Sequence, residues 1–397
     1  MSNNLKNAII DSMNNVLESI NCDPWMLDPG ITYLNHGSFG ARSLPVFEYQ
    51  AELKRVFEAS PVDFLDRQTE LLVSARTTVS SFLGADVDGF GFVDNATTGI
   101  GCVLQSISFE KDDEILTSNL VYNGVRQLLK RVASDARCLY TECEIELPVK
   151  NQESILEVFF NAISRKTKLV VIDHVSSSSA IVFPVQEIIA LCKEKGVLVV
   201  VDGAHAPGML NLNIDELDAD WYVGNLHKWV CAPIGAGFVY ASPPQREKTH
   251  PMTVSHWYGQ GFTQEFDWQG SKDISPWLAS AKAVEWGAAI DWSKIRFHNH
   301  ALATRMQHCL VESWGVEPLS PLNGSMIGSM ATVPLPDSCP QTMAECSQLQ
   351  DQLFTQYKIE VPVFELQGRG YLRVSAQLYS REDHVKQLQM AISQIIA

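Results

Sequence analysis

A single lysine, Lys228, stands between His227 and Trp229 in the stretch Trp221-Tyr-Val-Gly-Asn-Leu-His-Lys-Trp-Val-Cys-Ala-Pro-Ile-Gly-Ala-Gly-Phe-Val-Tyr240. Apolar runs lead in over Trp221 to Val223 and out over Gly237 to Tyr240, and both read as buried strands. Pro233, Gly235 and Gly237 mark a tight turn between them. Burying an ammonium is costly and lowers its pKa, and a lysine so treated becomes a nucleophile toward carbonyls. A lysine at a strand end is more often an ordinary surface residue. Asp202 changes that reading, because it ends the upstream apolar run Val197-Leu-Val-Val-Val-Asp202. The pair offers an amine for an aldehyde and a carboxylate for a protonated ring nitrogen, the two groups that pyridoxal 5′-phosphate requires.

A phosphate needs its own cradle. The strand Gly89 to Asp94 delivers Asn95-Ala-Thr-Thr-Gly-Ile to the start of a helix running to about Phe109. Free N–H groups and the helix dipole favour an anion there, so Asn95, Ala96 and Thr97 are candidate ligands. A plain N-cap by Thr97 or Thr98 explains the same residues equally well. His36-Gly-Ser-Phe-Gly40 nearly spells a hydrolase elbow, but His36 replaces the first glycine and no suitable helix follows. Gly99-Ile-Gly101 and Gly235-Ala-Gly237 lack the third glycine of a dinucleotide fingerprint, with Leu104 and Tyr240 in its place.

Taken together, Tyr33-Leu-Asn-His-Gly-Ser-Phe-Gly40, Asp94-Asn-Ala-Thr97, Asp173-His-Val-Ser176, Asp202-Gly-Ala-His205, Gly224-Asn-Leu-His-Lys-Trp229, Gln269-Gly-Ser-Lys-Asp273 and Arg373-Val-Ser375 span most of the chain. In that order they resemble the fold-type I pyridoxal-phosphate enzymes of the class V aminotransferase group. Within it they resemble the branch of isopenicillin N epimerases and hercynylcysteine sulfoxide lyases. The resemblance implies an α/β fold with a large domain around a mostly parallel seven-stranded sheet and a smaller α+β C-terminal domain. It also implies site roles. Asp202 holds the ring nitrogen, His205 faces the phenolic oxygen, and Asn225 and His227 reach phosphate or fix the lysine loop. Tyr122 stacks on the ring, Asp173, His174 and Ser176 lie near cofactor or substrate, and Asn35 and His36 contact substrate. Arg373 clamps the substrate carboxylate, and Ser271 stands where the family has a phosphate-binding threonine from the neighbouring subunit. An ordinary reading competes for several of these. Tyr122 can be a half-buried helix start, His174 a satisfied loop histidine and Arg373 an exposed strand residue.

The elements that must carry these residues alternate strand and helix, as a mostly parallel sheet requires. Strands are expected at Ile31–Asn35, Gly89–Asp94, Glu114–Ser118, Leu139–Ile145, Leu169–Asp173, Val197–Asp202, Ile359–Val363 and Tyr371–Ser375. Helices are expected over residues 1–20, 46–83 with a break near Ser60-Pro61, 122–133, 152–164, 184–195, 276–291, 292–314, 342–357 and 382–396. Residues 251–274 read as an aromatic-rich loop. The division expected is an N-terminal helical segment at 1–30, a large cofactor-binding domain at 31–274 and a small domain at 275–397.

The chain's 397 residues exceed what a single core usually holds, and 46% hydrophobic residues suit a packed globular protein. Its net charge of −16 argues against nucleic acid and anionic membrane as partners. Nine scattered cysteines without a C-x-x-C pair fit a reducing compartment and offer no metal-ligand spacing. No apolar run approaches a membrane span, and the polar N-terminus lacks a signal core, so a cytoplasmic enzyme is expected.

The chemistry implied starts from a Schiff base with an amino acid and removal of its α-proton by Lys228. Epimerisation, β-elimination with C–S cleavage, and transamination all diverge from there. The resemblance favours lyase or epimerase over aminotransferase. Segment Glu360–Leu372 has no cysteine, which disfavours a persulfide-forming desulfurase. A non-catalytic binding protein on the same fold conflicts with the intact Asp202 and Lys228. Aromatic residues Trp257, Tyr258, Phe262, Phe266 and Trp268, together with Ser271, suggest a homodimer with shared sites.

Overall fold

The computed structural model describes residues 25–396, so the helix expected over residues 1–20 lies outside the described residues. The first strand, β1 (Thr32–Tyr33), precedes the central sheet. That sheet is built from β2 (Phe90–Val93), β3 (Glu114–Ser118), β4 (Leu139–Cys143), β5 (Thr167–Asp173), β6 (Leu198–Gly203), β7 (Trp221–Asn225) and β8 (Gly237–Ala241). Its spatial order is β2-β8-β7-β6-β5-β3-β4. Only β8 runs against its neighbours, so the sheet is mostly parallel, as expected.

Helices cover both faces, which is why the inner strands are apolar on both. The alternation is visible in β5. Val170 and Ile172 join one hydrophobic cluster with Val199, Val201, Tyr222 and Phe238. Leu169 and Val171 point the other way and join Val200, Trp221, Val223 and Val239. Helix Ser275–Ile290 packs on helices Leu44–Ala59 and Gln68–Leu83.

A third cluster gathers Leu34 with Leu302, Met306, Leu349, Leu353, Leu372 and Leu388. Around it lie the antiparallel strands β9 (Met330–Pro334), β11 (Val363–Leu366) and β12 (Arg369–Ser375), in the order β11-β12-β9. The short β10 (Ile359–Glu360) pairs in parallel with β1. This pairing ties the segment before Asn35 to the C-terminal part of the chain.

Three expectations fail locally. The strand expected over residues 359–363 is two strands, divided at Pro362, which has no N–H to donate to a ladder. Strand β9 was not foreseen. The helix after β2 stops at Gln105, short of Phe109, where Ser106 turns its hydroxyl back to the Cys102 carbonyl at 2.8 Å. The loop at 251–274 also contains a helix, Phe262–Asp267. Phe262 and Phe266 lie one turn apart, their ring centroids 4.6 Å from each other, and both are buried.

Phe266 presses on β2 so closely that a Cβ at Gly91 would sit 2.6 Å from its ring. Gly91→Ala is therefore expected to destabilise the fold by about 1–3 kcal/mol through overpacking. Chemical denaturation checks this, and an unchanged midpoint would show that Phe266 can move aside.

Candidate active site

Three neighbouring parallel strands deliver the chemistry at their C-terminal ends. Asp173 ends β5 and pairs directly in register with Asp202 on β6. Asn225 ends β7, and the connection to β8 carries His227 and Lys228. Ligands bind at this edge of open α/β sheets because the following loops and helix N-termini converge there.

Lys228 has its Nζ 3.1 Å from His205 Nε2. Trp229 Nε1 donates to His205 Nδ1 at 3.4 Å. An indole N–H can only donate, so Nδ1 carries no proton and Nε2–H faces the lysine. Burial, with the charges of Lys228 and Arg373, holds His205 well below its ordinary pKa, and it stays neutral. Burial and then the Arg373 charge lower Lys228 to about 7, against the opposing pull of Asp202 and Asp173. A good fraction of Lys228 is thus a free amine at neutral pH.

Both aspartates are buried, and both titrate upward. Burial raises Asp173 well above the carboxylate range, and the Asp202 charge raises it further. Its Oδ2 has no hydrogen-bond partner. Asp202 is raised by burial but is supported by the Ala204 N–H, at 2.9 Å from Oδ1, and by Lys228. Of the two, Asp173 is pushed up further, because it has the Asp202 charge beside it, whereas Asp202 has the Ala204 N–H and the Lys228 charge to oppose its burial.

The helix Ala96–Gln105 starts beside this edge. Asn95 caps it, accepting from Thr98 N at 2.9 Å, and Asn225 Oδ1 accepts from Ala96 N at 2.8 Å. The Thr97 N–H and hydroxyl are left without a protein partner among the described residues. Gly237 on β8 lies so close to Asn95 that a Cβ would meet its Cα at 2.7 Å. The N-cap expected at Thr97 or Thr98 is instead Asn95, whose side chain takes the Thr98 N–H and leaves that of Thr97 open. His227 Nδ1 pairs with the Ala236 carbonyl at 2.9 Å, and burial lowers its pKa to about 4.

Arg373 on β12 is buried. Its Nη1 donates to the Ser177 carbonyl and, at 3.2 Å, to the Ser177 hydroxyl. Its Nη2 donates to Ser38 Oγ at 2.8 Å, and Nε has no partner. Five N–H bonds less three leaves Nε–H and one Nη2–H undonated, with Nε itself buried away from solvent.

The other candidates fall in different places. Tyr122 is the N-cap of helix Asn123–Ala136 with its side chain about half exposed, 48%. Ser176 donates to the Leu120 carbonyl at 3.3 Å, and it is Ser177, one residue on, that meets Arg373. His174 is buried against the Tyr222 hydroxyl at 2.8 Å, the satisfied histidine of the ordinary reading. His36 is fully buried with both ring nitrogens on protein groups, while Asn35 Oδ1 is buried without a partner. Ser271 is exposed, two residues beyond Gln269, which holds the Phe92 carbonyl at 2.7 Å. Sequence reasoning missed Ser38, Ser177 and Trp229. Ser38 and Trp229 lie inside motifs already singled out and Ser177 one residue beyond another, and the serines are ordinary small polar residues until Arg373 arrives. Trp229 was legible only as the neighbour of Lys228.

Residues 48–388 match the aminotransferase class-V family. The chain belongs to that family. Isopenicillin N epimerase of Amycolatopsis lactamdurans is 31% identical over 93% of this chain and 96% of that protein. L-cysteine desulfhydrase of Arabidopsis thaliana is 30% identical over 92% of this chain and 88% of that protein. The solved apo structure of a cysteine desulfurase from Thermococcus onnurineus NA1 superposes with a TM-score of 0.78 at 19% identity, over 92% of this chain and 94% of its own. That likeness concerns the fold.

Pyridoxal 5′-phosphate fits the groups present. A lowered lysine, the Asp202 carboxyl, a proton-bearing His205 Nε2 and a helix start with an open N–H meet its aldehyde, ring nitrogen, phenolic oxygen and phosphate in turn. Capture of the cofactor by apoprotein, followed by visible absorbance, is expected to rise with pH through a midpoint near 7 as the Lys228 ammonium loses its proton. A midpoint near that of an ordinary lysine would show that the site does not desolvate Lys228.

Proposed function

We propose that this protein is a pyridoxal-phosphate enzyme that acts at the α-carbon of an amino acid, as a C–S lyase by β-elimination or as an epimerase. The observation that carries this is the buried Lys228 amine 3.1 Å from His205, its pKa lowered to about 7, with the Asp202 carboxyl close enough to act on it. When bound, the cofactor supplies an electron sink. Asp202 keeps the ring nitrogen protonated, His205 Nε2–H holds the phenolic oxygen, and the Thr97 N–H receives phosphate. Arg373 would hold the substrate carboxylate with the N–H groups it does not give to Ser38 and Ser177. Lys228 would take up or return the proton at the substrate's α-carbon.

The segment before Arg373 bears on which outcome follows. β11 and β12 are joined by Gln367 and Gly368 alone, both at positive φ, a tight hairpin turn. With no cysteine in residues 360–372, nothing on that turn can take up a persulfide. The similarity to both an epimerase and a desulfhydrase favours epimerisation and β-elimination over transamination, which stays the alternative. Assaying pyruvate, 2-oxo acid and chirality in parallel, over amino acids and thioether conjugates, separates lyase, aminotransferase and epimerase.

We place the active unit as a homodimer in the cytoplasm. Phe262 and Phe266 fold back on their own chain, but Trp257 and Tyr258 stay exposed beside Met252 and Val254. Exposed apolar clusters of this kind mark interfaces. The cysteines of the described residues are free, and no described helix is long and apolar enough to cross a membrane.

Arg373→Lys keeps the charge but loses the planar fork, so KM for amino acids should rise by about tenfold or more with cofactor affinity nearly unchanged. Steady-state kinetics check this, and an unaltered KM removes Arg373 from the site. Asp202→Asn should bind cofactor yet lose turnover by about two orders of magnitude or more, since an amide cannot hold the ring nitrogen's charge. Lys228→Ala and Ser271→Ala proteins, refolded together, should regain some activity if each site draws on two chains. An active monomer by light scattering would end the shared-site proposal.

A further inference from the structure

Segment 35–40 lies across the active site without using its histidine as a surface group. His36 is fully buried. Ala41 N–H donates to its Nδ1 at 3.3 Å, and the Tyr379 hydroxyl lies 2.8 Å from the same nitrogen. A backbone N–H can only donate, so Nδ1 has no proton and the neutral ring carries Nε2–H. Nε2 lies 3.1 Å from the main-chain carbonyl of Lys228, the acceptor for that hydrogen, with the Gln377 side-chain nitrogen at 3.3 Å and Cys231 Sγ at 3.8 Å around the same atom. The same carbonyl accepts the Cys231 N–H at 3.0 Å, closing a turn in which Cys231 adopts φ +63°. Gly40 presses against this carbonyl, and a Cβ there would lie 2.3 Å from the oxygen.

Two residues along, Ser38 accepts from Arg373 Nη2 at 2.8 Å, and between them Gly37 N donates to Ser375 Oγ at 3.0 Å. The segment thus holds the lysine loop with one residue and the β12 arginine with the next but one. Ser375 N in turn donates to the Leu34 carbonyl at 2.9 Å, anchoring the start of the segment to the same strand.

We propose that residues 36–38 form a positioning strap that fixes Lys228 relative to Arg373, with His36 acting on the lysine through its main-chain carbonyl. His36 touches neither the lysine amine nor the arginine guanidinium in any recorded contact, so it is a positioning residue. It suits the task because burial lowers its pKa to about 3, so that the ring stays neutral at neutral pH. The groups that set the state of the amine itself are His205, Arg373, Asp202 and Asp173. A loosened loop would let water reach Lys228 and return it toward an ordinary lysine. This inference rests on Lys228 being the cofactor lysine.

The test compares His36→Phe, which keeps a ring and removes the donor, with His36→Gln, whose amide N–H reaches a similar distance. Apoprotein melting, the pH midpoint of pyridoxal-phosphate capture and the kcat–KM pair are measured for each. For His36→Phe the capture midpoint should rise by about one pH unit, and kcat should fall about tenfold with KM within about twofold, because a small misplacement of a reacting group is costly. His36→Gln should recover most of both. Equal values for His36→Phe and the parent would overturn the strap, as would equal losses in both variants with matching losses of melting temperature. If His36→Phe does not fold, Tyr379→Phe decides, with a smaller shift of the same sign expected and the parent's midpoint overturning the proposal. A parent protein that captures no cofactor, or a Lys228→Ala protein that captures it normally, would instead refute the lysine assignment.

Discussion

An amine that must be uncharged to react has to be taken out of water, and the folded chain does this to Lys228 at the end of a fully buried strand. Dehydration alone would make the position expensive, so the surroundings are arranged to share the cost. A neutral histidine faces the amine, two carboxyl groups stand near it, and a buried guanidinium pushes its pKa down further. The sheet supplies this arrangement because β5, β6 and β7 end side by side, so that Asp173, Asp202 and the loop after Asn225 meet at one edge.

The two aspartates show how strand register becomes chemistry. Parallel strands in direct register place their carboxyl groups side by side, so each buried charge disfavours the other. Asp173 bears more of that penalty, while Asp202 is supported by a backbone N–H and by Lys228. The Arg373 guanidinium is fixed by its neighbours too, because Ser38 and Ser177 accept three of its five N–H bonds.

Rigidity comes from close backbone approach. Gly40 and Gly237 lie where a methyl group would strike the Lys228 carbonyl or the Asn95 Cα, so the lysine loop, the helix start and segment 35–40 pack main chain against main chain. Such contacts leave little freedom for the groups they carry. They also join parts of the chain far apart in sequence, since β1 pairs with β10 and the segment it leads into reaches both Lys228 and Arg373.

The sequence by itself determined the mostly parallel sheet, the strand ends at Asp173 and Asp202, the candidate lysine and the family. Each of these is written in local terms: buried parallel strands are continuously apolar, helices carry their caps, and the Asp202–Lys228 motif needs no partner to be legible. The break at Pro362, strand β9 and the helix Phe262–Asp267 were not legible with the same ease, because β9 is short and depends on β12 for its pairing, and the helix depends on Phe266 finding β2. Most of the candidate residues were found, but their tasks were set only by the fold. His36 could be marked as notable, yet its ring nitrogens have partners at Ala41, Lys228 and Tyr379. Ser177 and Trp229 gain meaning only through Arg373 and His205. Hydrogen-bond partners and the desolvation that shifts a pKa are properties of a three-dimensional neighbourhood, and residues separated by a hundred positions or more along the chain supply most of it here.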